Sequence, residues 1–77
     1  MLPQSHSFLK VISVSINGVQ RQFDTAISLA ALLQDIQLGD KRIALERNGE
    51  IVPRSQFPQH MLADGDKLEI VVAVGGG

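Results

Sequence analysis

One stretch of this 77-residue chain repeats its apolar residues with the period of a helix: Leu29, Leu32, Leu33 and Ile36 fall at i, i+3, i+4 and i+7, which puts all four on one face. The patterned segments on either side alternate apolar and polar residues with period two, the mark of strands with one buried face. A single amphipathic helix must cover its stripe, and the partner on offer is one face of a sheet built from those strands. A chain this short buries only roughly 60% of its unfolded surface and reaches a stability on the order of 4–12 kcal/mol. A second domain and a deep catalytic cleft are therefore not expected.

The elements follow in order. Ile12, Val14 and Ile16 alternate with Ser13 and Ser15, Asn17-Gly18 offers the two positive-φ residues of a type I′ hairpin, and Val19, Arg21 and Phe23 alternate on the return strand. Asp24-Thr25 and Ser28 are capping candidates for the helix, and Gly39 is its candidate left-handed C-cap. Arg42 to Glu46 reads as a third strand, Arg47-Asn48-Gly49-Glu50 as a second tight turn, and Ile51-Val52 as a short strand that Pro53 confines to an edge. Residues 54–63 read as an irregular crossing with Phe57, Met61 and Leu62 as core plugs, and Asp64-Gly65-Asp66 turns into a last strand, Lys67 to Val74. The expected core sets Leu29, Leu32, Leu33 and Ile36 against Ile12, Val14, Ile16, Leu68, Ile70 and Val72. The order β-β-α-β-β-β predicts an α+β roll of the β-grasp kind: a mixed sheet of four or five strands, one main helix on one face, and the last strand parallel to the first in the sheet centre. Residues 1–8 read as a loose N-terminal leader, native or added, residues 9–74 as the β-grasp domain, and residues 75–77 as a flexible glycine tail.

Catalytic machinery is hard to find. Seven Lys plus Arg against eight Asp plus Glu give a net charge of −1, without the basic excess that nucleic acid or an anionic membrane rewards, so neither is an expected partner. The absence of cysteine removes a disulfide framework, thiolate metal sites, a catalytic thiol and a protein persulfide. His6 and His60 lack the spacing of metal ligands, and no metal or bound cofactor is expected. Asp64 and Asp66 read as turn residues, and Arg47 and Arg54 as a solvated rim or a partner contact. The start of the chain has neither the basic n-region nor the apolar run of a signal peptide, which predicts a cytoplasmic protein.

What remains is Gly75-Gly76-Gly77, directly after an apolar strand. A frayed or linker end is one reading of it. The other is chemical: without Cβ these residues thread a narrow channel and reach up to about 10 Å beyond the fold, offering an α-carboxylate to another protein's active site.

At this point residues 9–77 resemble the sulfur carriers of thiamin biosynthesis, a ubiquitin-like β-grasp family. The shared motifs are Ile16-Asn17-Gly18, the run Ala44 to Arg54 (ALERNGEIVPR), Gly65 to Val71 (GDKLEIV) and the Gly-Gly end. The resemblance implies a carrier that serves as cosubstrate and has no catalytic residues of its own. A ubiquitin-activating-like adenylyltransferase would use ATP to adenylate Gly77, sulfur from a donor enzyme would displace AMP to leave a thiocarboxylate, and thiazole synthase would take that sulfur. Gly75 and Gly76 would thread the partner's channel, and the free carrier would be a monomer. The sheet face opposite the helix adjoins that tail, so Val71 and Ala73 with the polar residues around them are the expected docking surface, the alternative being that the 54–63 segment covers Val71. The alternatives are the small subunit of molybdopterin synthase, with the same chemistry on the same fold, and a ubiquitin-like interaction module or modifier that transfers no sulfur.

Overall fold

In the computed structural model, which describes residues 11–24 and 27–73, both Asn-Gly pairs turn the chain in the left-handed region. Asn17 and Gly18 have φ of 51° and 85°, Asn48 and Gly49 53° and 88°. Positive φ at both central positions is the type I′ turn, whose twist matches that of paired strands. The first turn joins β1 (Ile12–Ile16) to β2 (Val19–Phe23), with Ile16 opposite Val19. The second joins β3 (Ile43–Arg47) to β4 (Glu50–Ile51), with Arg47 opposite Glu50.

The last strand, β5 (Lys67–Val72), lies between the two hairpins. It runs parallel to β1 and antiparallel to β3, giving a five-stranded mixed sheet in the order β2-β1-β5-β3-β4. The expected architecture holds, with small shifts of boundary. The third and fourth strands run one residue later and one residue earlier than the alternation suggested, because the Asn48-Gly49 turn admits two residues only and pairs its flanks symmetrically. The short β4 closes one edge of the sheet just before Pro53, whose missing N–H suits that place.

Helix α1 (Leu29–Asp35) begins at Ser28, whose Oγ accepts from the Ala31 N–H at 3.0 Å, and Ile36 is its C-cap. The left-handed residue that ends it is Gln37, at φ 67°, and Gly39 is not among the positive-φ glycines. This corrects the expected cap. The Leu38 N–H donates to the Leu33 carbonyl at 2.7 Å and the Gln37 N–H to the Gln34 carbonyl at 3.0 Å, the paired bonds of a Schellman turn. Leu38 packs against the core from that turn, and this burial sets the reversal two residues before the glycine. Gly39 instead passes the Gln34 side chain, where a Cβ would meet it at 2.9 Å.

The core joins Leu29, Leu32 and Leu33 of α1 to Ile12, Val14, Ile16, Leu45, Leu68 and Ile70 of the sheet, and Val52, Phe57 and Leu62 close its edge. Ile36 packs against this cluster half-buried. Two expected core residues lie outside it. Val72 is 39% exposed, since β1 has already turned away at its level and only β3 flanks it, through Ile43. Met61 is 52% exposed because the backbone there is extended, bridging to Ser28 with the Leu62 N–H on the Ile27 carbonyl at 2.8 Å. Successive side chains then point to opposite sides, and Leu62 has the inner one. The crossing segment is more regular than its sequence suggests: Arg54–Gln59 form a 3-10 helix that buries Phe57. Arg54 ties this helix to the loop after α1, donating to the carbonyls of Lys41 at 2.8 Å and Gly39 at 3.0 Å.

The leader (1–8) and the glycine tail (75–77) lie outside the described residues, as do Leu9, Lys10, Thr25, Ala26 and Val74. No helix among the described residues is long and apolar enough to cross a membrane.

Candidate functional site

The strand that leads to the glycines is the most constrained in the sheet. Its alternation divides its side chains: Leu68 and Ile70 face α1 and are buried, whereas Lys67, Glu69 and Val71 face the open side and are exposed. On that open face the neighbours from β3 are Ala44, opposite Val71, and Glu46, opposite Glu69. Val71 is 65% exposed, and the 54–63 segment does not cover it. Ala73 is exposed as well, with its N–H on the Arg42 carbonyl at 2.8 Å. The two docking residues expected from the sequence thus share one uncovered, partly apolar end of the sheet. Gly75, Gly76 and Gly77 continue the chain from there, outside the described residues.

At the other end of β5 sits the one buried charged side chain among the described residues. Asp66, 8% exposed, accepts from Arg47 Nε at 3.0 Å, from Asn48 Nδ2 at 3.0 Å and from the Ala63 N–H at 2.9 Å, and its Oδ2 pairs with Arg47 Nη2 at 2.8 Å. Burial pushes its carboxyl up, but the Ala63 and Asn48 hydrogen bonds, the Arg47 charge and the Arg47 hydrogen bond outweigh that and hold it below the ordinary 3.8. Arg47 Nη1 also lies 3.3 Å from His60 Nδ1, and His60 Nε2 lies 3.2 Å from Gln56 Oε1. Since a guanidinium can only donate, His60 Nδ1 accepts and Nε2 carries the proton toward Gln56. The neighbouring Asp64 accepts from the Ser13 N–H at 2.7 Å.

Both aspartates, expected as turn residues only, reach beyond their turn: Asp64 holds the Ser13 N–H of β1, and Asp66 anchors an ion pair that joins β3, β5 and the crossing segment. Its partner Arg47, expected on a solvated rim or at a partner contact, is half-buried beneath it. Arg47 and Asp66 are 19 residues apart, and no local pattern announces the pair. These side chains satisfy one another, and no buried polar side-chain atom among the described residues lacks a partner. The cluster is a structural lock at the base of the strand. No group of three or more metal-ligating side chains converges among the described residues.

The mixed sheet with its central parallel pair and, among the described residues, one α-helix on one face define the chain as a ubiquitin-like β-grasp protein. The model of the ThiS family matches residues 14–77. The chain belongs to the ThiS family of sulfur carrier proteins. It is 38% identical over 66 residues to the sulfur carrier protein ThiS of Bacillus subtilis, covering 83% of this chain and 98% of that one. It is 47% identical over 62 residues to a thiazole synthase of Paramagnetospirillum magneticum, covering 80% of this chain but spanning only 19% of that longer protein. Its fold matches the crystal structure of the thiamine biosynthesis protein ThiS from Geobacter metallireducens with a TM-score of 0.73 at 26% identity, covering 86% of this chain and all of that one.

Proposed function

We propose that this chain carries sulfur for the thiazole ring of thiamin on the α-carboxylate of Gly77. The observation that supports this reading most is that the family match includes Gly75, Gly76 and Gly77. In the proposed cycle a carboxylate oxygen of Gly77 attacks the α-phosphorus of ATP on an E1-like adenylyltransferase, releasing pyrophosphate. Sulfur at the level of sulfide, supplied by a donor enzyme, then attacks the acyl carbon and expels AMP, leaving the thiocarboxylate. Thiazole synthase takes this sulfur. A chain without cysteine suits such chemistry, since no internal thiol competes for the activated acyl group. The carrier binds no cofactor of its own, and its contribution is positional: docking through Val71 and Ala73 converts the attack on ATP into an effectively intramolecular step.

The test is intact-mass analysis after incubation with ATP, sulfide and the adenylyltransferase. The native chain should gain one sulfur in exchange for one oxygen. A chain extended by one residue presents its carboxylate about 3.3 Å further on and with a side chain, so it should stay uncharged. Charging of the extended chain at the native rate, with the extension verified intact by mass, would overturn the mechanism.

A further inference from the structure

The first hairpin turn does more than reverse the chain. The parallel pairing of β1 with β5 ends at Ile16 opposite Leu68, after the Ser15 N–H has bonded the Asp66 carbonyl at 3.0 Å and the Asn17 N–H the Leu68 carbonyl at 2.9 Å. There β1 turns away. The next β5 residue to face that edge is Ile70, because the alternate residues Glu69 and Val71 pair across to β3 and the Ala73 N–H reaches Arg42. Ile70 would be left with neither donor nor acceptor, and the Asn17 side chain supplies both. Its Oδ1 accepts from the Ile70 N–H at 2.7 Å, and its Nδ2 donates to the Ile70 carbonyl at 3.0 Å. A primary amide carries the same donor and acceptor as a peptide group, so one side chain stands in for the missing rung of the ladder. Past Ile70, among the described residues, β5 is held by β3 alone.

The geometry points to Asn17 as a positioning residue for the reactive end, an inference that rests on the carrier reading above. Its amide clamps β5 on the edge that β1 vacates, and so fixes the described part of the strand that leads on to Gly77, seven residues beyond Ile70. Misplacement of about 1 Å is enough to slow a positioned reaction by up to about a hundredfold.

Asn17→Gly isolates the amide, because glycine accepts the φ of 51° that the turn requires. Gly18→Ala is the opposite control. It strains the turn at φ 85° with nothing within 4 Å of the added Cβ, and it leaves the clamp in place. In adenylation assays with ATP and the E1-like adenylyltransferase, Asn17→Gly should lose about tenfold in kcat, with the KM for the carrier within about twofold of native. Hydrogen exchange should show its Ile70 amide newly exposed. Asn17→Asp keeps the acceptor but sets a carboxylate against the Ile70 carbonyl, and it should slow kcat as well. Gly18→Ala should keep the native kcat even where its melting temperature falls. A native kcat in Asn17→Gly overturns the assignment, as does a loss confined to KM or a loss matched by Gly18→Ala. If the native carrier itself is not adenylated, the carrier reading fails first, and this inference falls with it.

Discussion

Replacing Asp66 by alanine tests the lock at the base of β5. The carboxylate accepts three hydrogen bonds and pairs with the Arg47 guanidinium, and its loss leaves that guanidinium, the Asn48 amide and the Ala63 N–H facing a void. Breaking a buried ion pair from one side costs about 3–5 kcal/mol. Arg47 retains 22% exposure of its side chain, so water recovers part of this, and a loss of about 2–4 kcal/mol is expected. Set against a total of about 4–12 kcal/mol, that is a large share. With a urea dependence of about 1 kcal/mol per molar, the unfolding midpoint followed by circular dichroism should fall by about 2–4 M. Removing Arg47 as well, in an Arg47→Met, Asp66→Leu double variant, should restore part of the loss, because no charge is then left without its partner. The pH dependence has a definite sign. The folded pKa of Asp66 lies below its unfolded value, near 3.8, so the stabilisation is fully present above that pH and is lost as the pH falls through the folded pKa. The gap between the native protein and Asp66→Asn should therefore be widest near neutrality and close in acid below pH 3.8. A midpoint shift under about 0.5 M for Asp66→Ala, or a gap that widens in acid, would refute the reasoning.

Leu32 is fully buried between helix and sheet, and Leu32→Ala should lose about 2–5 kcal/mol in the same urea assay; an unchanged midpoint would remove it from the core. Gly49→Ala should cost about 1–2 kcal/mol purely through its left-handed backbone, since nothing lies within 4 Å of the added Cβ. Gly39→Ala should change stability by less than about 0.5 kcal/mol, because its φ is ordinary and the crowding atoms belong to the movable Gln34 side chain; the reverse ranking would restore Gly39 as the helix cap. Val71→Asp should fold normally yet bind the adenylyltransferase at least tenfold more weakly by calorimetry, and native affinity in that variant would move the docking face elsewhere.

The local devices of this fold are legible in the chain. Two Asn-Gly pairs, a serine before a helical period and strict alternation around Leu68 and Ile70 each act within a few residues, where backbone sterics and side-chain direction decide the outcome. Boundaries were less legible. Gly39 looked like the helix cap because glycine is the usual left-handed residue, but the burial of Leu38 decided the matter at Gln37. Met61 and Val72 looked like core because they are apolar, yet the direction of an extended segment and the early departure of β1 left both exposed.

The candidate site divides in the same way. Gly75 to Gly77 and the strand before them stand out in the sequence by composition alone, and so does the absence of any competing thiol. The groups that hold this strand do not stand out. Asn17 and Ile70 are 53 residues apart, Arg47 and Asp66 19. By itself the sequence determined the strands, the main helix, their order and the chemistry open to the Gly-Gly end, because these depend on period, turn geometry and residue type, whereas the 3-10 helix Arg54–Gln59 was not among them. Only the tertiary structure decided which side chains clamp the central strand and which apolar residues stay uncovered. Those outcomes depend on pairing two hairpins with one strand across long stretches of chain, and a register formed in space leaves no trace in local spacing.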